Sequence, residues 1–233
     1  MRNTRYTFAV ASLLVVCAHP DDEVLGCGGY IAKRSRLGDE VTVAFVADGV
    51  SSRAGSSFVI ELEARRASAR KAGEILGASR MLFSDFPDNQ LDTVPLLKVI
   101  QYVEDLVEKY KPSLVMTHHW GDLNVDHRIV NQATVTAVRP LPGGIVKELL
   151  FCEVPSSTEW QVSGTSQTFI PNWYEDISEV LPLKLDALRA YEMETRSWPH
   201  PRSLLSVEYL ARWRGSACGV GAAEGFVLGR RVP

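Results

Sequence analysis

Over residues 1–140, short apolar runs alternate with longer segments whose apolar positions recur every three or four residues. Leu13–Cys17 and Val41–Ala47 (VTVAFVA) are unbroken apolar runs rich in β-branched residues, as expected of strands buried on both faces. Met81–Phe83 and Leu114–Thr117 are shorter runs of the same kind. Between them the spacing predicts helices over Gly29–Leu37, from about Ser57 to Leu76, over Val94–Tyr110 and over Arg128–Val138. Gly38 and Gly77 supply stops for the first two, and Leu97, Ile100, Val103, Leu106 and Val107 form the apolar face of the third. Strands alternating with helices of this length mean βαβ units. The predicted class is α/β: a Rossmann-like, three-layer α/β/α arrangement with a mostly parallel sheet and a small C-terminal elaboration.

After Pro140 the texture changes. Leu149–Val154 reads as a further strand and Pro155–Thr168 (PSSTEWQVSGTSQT) as a polar loop at the rim of the site. Ile177–Tyr191 and Ser203–Cys218 read as helices joined through RSWPHPRS. No repeat, low-complexity block or long linker interrupts the chain. Residues 1–233 are therefore expected to form one domain, with a core over 1–140 and substrate-side loops and C-terminal helices over 141–233. The N-terminus invites another reading, because MRNTRYTFAVASLLVVCA has the early arginines, apolar run and small residues of a secretory leader. Cleavage after Ala18 would remove Leu13–Cys17 and leave the polar cluster that follows without its strand. The strand reading is preferred, and a cytoplasmic protein is expected.

Composition narrows the partners. With 25 Lys+Arg against 28 Asp+Glu, the net charge is -3, which gives no basic footprint for nucleic acid and no polybasic patch for a membrane surface. Downstream of the leader-like run, no segment approaches the ~20 apolar residues of a membrane span. Cys17, Cys27, Cys152 and Cys218 are scattered without a CxxC pair, which argues against a disulfide framework or a structural zinc site and fits a reducing cytosol.

In open parallel sheets, ligands sit outside the carboxyl ends of the strands. AHPDDE (Ala18–Glu23) begins where the first strand stops, and THHWGDLNVDHR (Thr117–Arg128) follows the Leu114–Thr117 strand, so both open on one edge. Four of the five histidines, His19, His118, His119 and His127, fall in these two stretches. His19 and Asp22 could grip one ion, a donor set that suits zinc with a water in an open position. Asp21 cannot point the same way as Asp22 and is left free to work on that water. A helix N-cap would account for one acid, not for a histidine followed by three acids. His127 is the best third ligand, and Asp126 could orient a neighbouring imidazole.

These two stretches resemble the PIG-L (LmbE-like) zinc-dependent N-deacetylases, which remove acetyl groups from N-acetylglucosaminyl compounds. The signature AHPDDE-x-L-G-x-GG matches Ala18–Gly29, and the later Asp-His signature matches Asp126–His127. DGxxSR (Asp48–Arg53), EARRASARKAGEILG and PDNQLD (Pro87–Asp92) resemble family landmarks in the right order. The resemblance implies one Zn2+ per chain, or another divalent metal in its place, held by His19, Asp22 and His127. It also implies Asp21 as general base in amide hydrolysis. The partner it implies is a small N-acetylated molecule, a sugar or glycoconjugate.

The chain departs from that pattern at Asn124, where many members carry a histidine three residues before the last ligand. Asn124 can donate a hydrogen bond but supplies neither a proton nor a charge. His200, in WPHPRS, is a candidate replacement. In some relatives a C-terminal histidine completes the site even across a subunit boundary, so a homo-oligomer stays open. His118 and His119 are further candidates, for this role or for substrate binding. Arg53 resembles family arginines that bind substrate hydroxyl or phosphate groups. Trp120, Trp160 and Trp173 could stack on a sugar ring, although packing explains any one of them equally well. Three rivals remain. Gly26–Gly29 with Asp48 suggests a dinucleotide site, but GxGG is not GxGxxG and the acidic cluster would repel a pyrophosphate. A two-metal phosphoesterase would need ligands from Glu23, Asp48 or Asp122. A non-catalytic sugar- or metal-binding protein would need the ligand set alone.

Overall fold

The computed structural model describes residues 11–52, 58–162, 164 and 167–232. The chain runs β1 (Ser12–Cys17), α1 (Asp22–Arg36), β2 (Glu40–Ala47), α2 (Phe58–Leu76), β3 (Arg80–Phe86), α3 (Leu96–Tyr110), β4 (Leu114–His118), α4 (Val125–Ala137), β5 (Glu148–Cys152), β6 (Trp173–Asp176), α5 (Leu181–Arg189), α6 (Leu204–Cys218) and β7 (Ala223–Arg231). The strands form one sheet in the order β3-β2-β1-β4-β5-β7-β6. The first five are parallel, and β7 runs antiparallel to both β5 and β6.

Both faces of β1 are covered, which is why its apolar run has no polar member. Leu13, Val15 and Cys17 pack into one core with α1, α2, α5 and α6, while Leu14 and Val16 pack into the other with α3 and α4. The chain steps outward from β1 to β2 and β3, then returns to the far side of β1 as β4. That reversal opens a crevice between the carboxyl ends of β1 and β4, the usual ligand position in such sheets. The two His/Asp-rich stretches leave their strands there.

Helix α1 starts at Asp22, well before the predicted Gly29, because two helical stretches are joined across a break at Cys27 (φ -150°). Backbone groups freed by a kink need other partners. The Gly29 and Tyr30 amides donate to the Glu224 carboxylate of β7 at 2.8 and 2.7 Å. Lys184 of α5 donates to the Leu25 carbonyl at 3.0 Å and to Glu224 at 2.6 Å, and all of these groups are buried. A Cβ at Gly26 would stand 2.9 Å from Cys152 Sγ, and one at Gly29 2.7 Å from Ile177. The glycine run therefore serves close packing of α1, not a phosphate cradle.

Other boundaries shift in ways the packing explains. Helix α4 begins at Val125, three residues before the predicted Arg128. On α3, Leu97 is 61% exposed and Val99 is buried in addition, while the predicted Val103 and Leu106 are buried and Ile100 and Val107 pack against the same core. The predicted Ile177–Tyr191 helix is shorter, with β6 preceding it, and β7 carries no strand-like alternation in its sequence (AEGFVLGRR). Gly229 lies under the Phe151 ring, where a Cβ would come within 2.5 Å, so a strand position reads as a breaker. The predicted Leu149–Val154 strand is present as β5, and β6 and β7, which the sequence pattern does not predict, extend the sheet beyond it. All four cysteines are free, and no described helix is long and apolar enough to cross a membrane.

Candidate metal centre and active-site cavity

The short turn Ala18–Asp21 joins β1 to α1, and its side chains diverge. Asp21 holds φ 125°, a conformation costly for any residue with a Cβ. Its amide donates to Glu23 Oε2 at 3.0 Å, and Glu23 Oε1 accepts from the Tyr191 hydroxyl at 2.6 Å. Asp22 is anchored the other way, since its Oδ2 accepts the His19 amide at 2.8 Å. Neither aspartate makes an ordinary helix cap. Their carboxylates point to different partners, as steric reasoning on adjacent residues requires.

Asp22 Oδ2 is ringed by imidazoles: His19 Nδ1 at 3.5 Å, His127 Nε2 at 3.3 Å and His118 Nε2 at 3.5 Å. The far nitrogens of the first two meet carboxylates. His19 Nε2 lies 3.0 Å from Asp126 Oδ2 and 3.1 Å from Asp88 Oδ1, and His127 Nδ1 lies 3.2 Å from Asp122 Oδ1. Asp126 is itself fixed by the Asn89 and Leu91 amides at 2.7 and 3.0 Å. Asp122 accepts from Ser157 Oγ and from Thr158 Oγ1 at 2.6 Å. Ligand atoms of His19, Asp22 and His127 lie within 4.8 Å of one another, and so do those of His19, Asp88 and Asp126. All five of these residues are buried, with His19 the least so at 6% exposure.

The electrostatics follow from this arrangement. Burial disfavours a charged Asp22, but His127 and His118 outweigh it and hold its pKa well below the usual carboxylate range. Burial likewise opposes a charged His127, and Asp22 and Asp122 outweigh it, raising its pKa to about 9. His19 is raised in the same way by Asp126, Asp22 and Asp88. Asp21 goes the other way from Asp22. Burial pushes it up to about 6, against the pull of Arg202 and Arg65.

Asp21 opens on a polar cavity of about 120 Å³ that also meets His19, Ser52, Asp88, Asn124 and two arginines. Arg65 lies 3.5 Å from Asp21 Oδ1, donates to the Pro20 carbonyl through Nε and Nη2 at 3.2 and 2.8 Å, and pairs with Glu194 at 2.5 Å. Arg202 reaches Asp21 Oδ2 at 3.2 Å and Ser156 Oγ at 2.5 Å.

His19, Asp21, Asp22, His127 and Asp126 thus come together. The other predicted residues fare differently. Asn124 lines the cavity but caps α4, its Oδ1 accepting the Asp126 and His127 amides. His118 is stacked on His127 at 3.9 Å and accepts the Ala18 amide at 2.8 Å, and it does not line the cavity. His119 accepts the Gly121 amide and packs against Trp120 and Phe169. Trp120 borders a separate groove with Arg128 and Ile129, Trp160 and Trp173 do not line the cavity, and Asp48 closes a turn onto the Val50 and Ser51 amides. His200 turns its ring edge-on to Trp160 at 5.7 Å and does not line the cavity; its near neighbour Arg202 does. Arg53 lies outside the described residues. Arg65, Asp88, Glu194 and Arg202 were not singled out by sequence. Asp122 was considered only for a second ion, and it orients His127 instead.

A family model described as GlcNAc-PI de-N-acetylase (PIG-L) matches residues 14–138. The uncharacterized deacetylase YaiS of Escherichia coli is 30% identical over 186 residues, covering 77% of this chain and 90% of that protein. Diacetylchitobiose deacetylase of Thermococcus kodakarensis is 31% identical over 192 residues, covering 79% of this chain and 70% of that protein. Among solved structures, GalB, the 4-carboxy-2-hydroxymuconate hydratase of Pseudomonas putida, superposes with a TM-score of 0.77 at 23% identity, covering 96% of this chain and 98% of that one. At that identity the likeness concerns the fold and not the reaction.

Proposed function

The chain belongs to the PIG-L family of N-deacetylases, and we propose that it hydrolyses the N-acetyl group of a small amino-sugar-containing substrate. In this proposal His19, Asp22 and His127 hold one zinc ion, Asp21 is the general base, and residues 1–233 act as a single domain. The observation that carries it is the divergence of two consecutive buried carboxylates, Asp22 into a ring of imidazoles and Asp21 into the polar cavity.

The donor set fits the metal. Two imidazoles and a carboxylate are ligands zinc takes, and each imidazole has a carboxylate on its far nitrogen, the arrangement that fixes ring orientation and raises ligand basicity. Bound zinc supplies Lewis acidity, lowering the pKa of a water towards about 7 and polarising the amide carbonyl. Asp21 takes a proton from the attacking water and returns it to the departing amine. In the metal-free site burial raises its pKa to about 6, a shift that favours its taking up a proton. Glu23 and Tyr191 hold its backbone in the strained conformation, and the arginines fix its carboxylate. The second group, His19 with Asp88 and Asp126, is already satisfied by Ser52, Asn89 and Leu91 donors, which favours one ion over a two-metal phosphoesterase site. The Thermococcus relative is named for an N-acetylated amino sugar, which supports the substrate class.

The test is acetate release by zinc-loaded protein across N-acetyl amino sugars, free, nucleotide-linked and lipid-linked. No release from any of them would sink the proposal. In an active preparation, Asp21→Ala abolishes turnover while elemental analysis finds the parent's metal content, and His127→Ala loses the metal.

A further inference from the structure

An amide hydrolase needs, besides any metal, a group that faces the oxyanion of the tetrahedral intermediate. Asn124 offers no charge, and one of its two Nδ2 hydrogens is already engaged. Its Oδ1 accepts the Asp126 and His127 amides at 2.8 and 3.4 Å, and its Nδ2 donates to Asn89 Oδ1 at 3.2 Å. His200 spends its Nδ1 on the Arg202 amide at 3.0 Å. Among the described residues, two arginines border the cavity. Arg65 is committed through Nε, Nη1 and Nη2, and its side chain is 8% exposed. Arg202 differs on both counts: its side chain is 26% exposed, and Nη2 has no hydrogen-bond partner among the described residues.

We propose that Arg202 is a catalytic residue whose open Nη2 edge donates to the carbonyl oxygen of the bound amide as negative charge develops there. This rests on the deacetylase reading given above. As water attacks the carbonyl carbon, a C–O bond forms, the π pair moves onto the carbonyl oxygen, and the water's proton passes to Asp21. On collapse the C=O bond re-forms, the C–N bond breaks and Asp21 delivers the proton to the amine, leaving a free amine and acetic acid, which gives its proton to the medium to become acetate. Arg202 stays protonated throughout and acts by charge alone. Its aim is set beforehand. Nε is held by Ser156, Nη1 by Asp21 with Glu194 Oε2 at 3.5 Å, and its amide by His200. One guanidinium thus touches the proposed base through Nη1 and keeps Nη2 unpaired in a residue that lines the cavity, a combination no other described cation here shows.

The experiment compares parent, Arg202→Gln, Arg202→Lys and His200→Ala as zinc-loaded full chains. It measures acetate release, metal content and calorimetric binding of methylphosphonate, a tetrahedral anion. Arg202→Gln should lower kcat by ~10²-fold with KM little changed and metal content intact. It should also bind methylphosphonate ~10²-fold more weakly, and guanidinium chloride should restore part of its kcat. Arg202→Lys should fall between the two, and His200→Ala, which frees the Arg202 amide, should lower kcat by less than Arg202→Gln. An unchanged kcat in Arg202→Gln, or a rise in KM alone, overturns the assignment. So does a kcat loss that guanidinium does not rescue while methylphosphonate binding is unaltered, since that marks a purely structural role. A parent that releases no acetate sinks the deacetylase reading instead. Methylphosphonate binding by parent and variant then still decides whether Arg202 is the anion donor.

Discussion

The loops after β1 and β4 and the segments after β5 and α5 converge on one cavity but contribute in unlike ways. The first pair supplies His19 in the turn after β1, Asp22 at the start of α1 and His127 in the first turn of α4, short side chains held by elements that pack on the parallel sheet. The second pair supplies no candidate ligand. It sends in donors and counter-charges: Ser157 and Thr158 onto Asp122, Tyr191 onto Glu23, Glu194 onto Arg65 and Arg202 onto Asp21. One half owns the proposed ligand atoms, and the other supplies groups that aim them and set their protonation. The division matters because elements packed on a rigid sheet can fix a position to a fraction of an ångström, while protonation is tuned by groups that need only touch the ligand's far side.

The most direct way to break this contrast runs through Asp122, where the halves meet. Asp122→Ala should weaken zinc binding by about 10–100-fold, the usual effect of losing the carboxylate behind a ligating imidazole. Thr158→Val should shift affinity in the same direction by less, because the Ser157 and His127 contacts of Asp122 survive. Competition against a chromophoric chelator reads both. Parent-like affinity in Asp122→Ala would confine metal binding to the ligand-bearing loops.

A smaller effect per step concerns protons. With the metal absent, His127 titrates at about 9 and His19 is also raised, so zinc must displace at least one proton at neutral pH. Apparent zinc affinity should therefore rise about tenfold or more per pH unit between pH 7 and 9. Metal-free stability should move the opposite way. A histidine with a raised folded pKa stabilises fully below its unfolded value near 6.5 and loses that contribution as pH climbs through about 9. Calorimetry in buffers of different ionisation enthalpy counts the protons released. A flat profile would mean that Asp22 and Asp122 do not hold the imidazole charged.

The halves also differ in how far the sequence betrays them. AHPDDE and NVDH are legible because each set of donors is contiguous and hangs from a run that can only be a buried strand. Arg65 is not. In EARRASARKAGEILG it stands four and seven residues before the buried Ala69 and Ala72, but by residue type it reads as a solvated helix arginine like the exposed Arg70, and its partner Glu194 lies 129 residues away. Arg202 meets Asp21 across 181 residues, and nothing local distinguishes it from a solvated turn arginine, whereas His200 beside it attracts attention by residue type alone. The parallel half of the sheet was readable from unbroken apolar runs. The antiparallel edge was not, because Glu224, Gly225 and Gly229 interrupt β7 for reasons that lie on other elements: the α1 kink, Pro171 and Arg214, and the Phe151 ring.

Asn124 gives the smallest expected effect and tests whether a residue inside the ligand-bearing half can be purely structural. It lines the cavity three residues before His127, yet its carbonyl oxygen is spent on two amides of the first turn of α4. Loss of an N-cap costs about 1 kcal/mol. Asn124→Ala should therefore lower the thermal midpoint by a few degrees, whereas Asn124→Asp, which keeps a capping oxygen, should recover most of it. Asn124→His should be destabilised like the alanine variant, because an imidazole at that position is a poorer cap. A kcat gain in Asn124→His would show that the position still answers to catalysis and would blur the line between the two halves. An unchanged or lower kcat, alongside the lost degrees, leaves the charge for the oxyanion to come from the other side of the cavity.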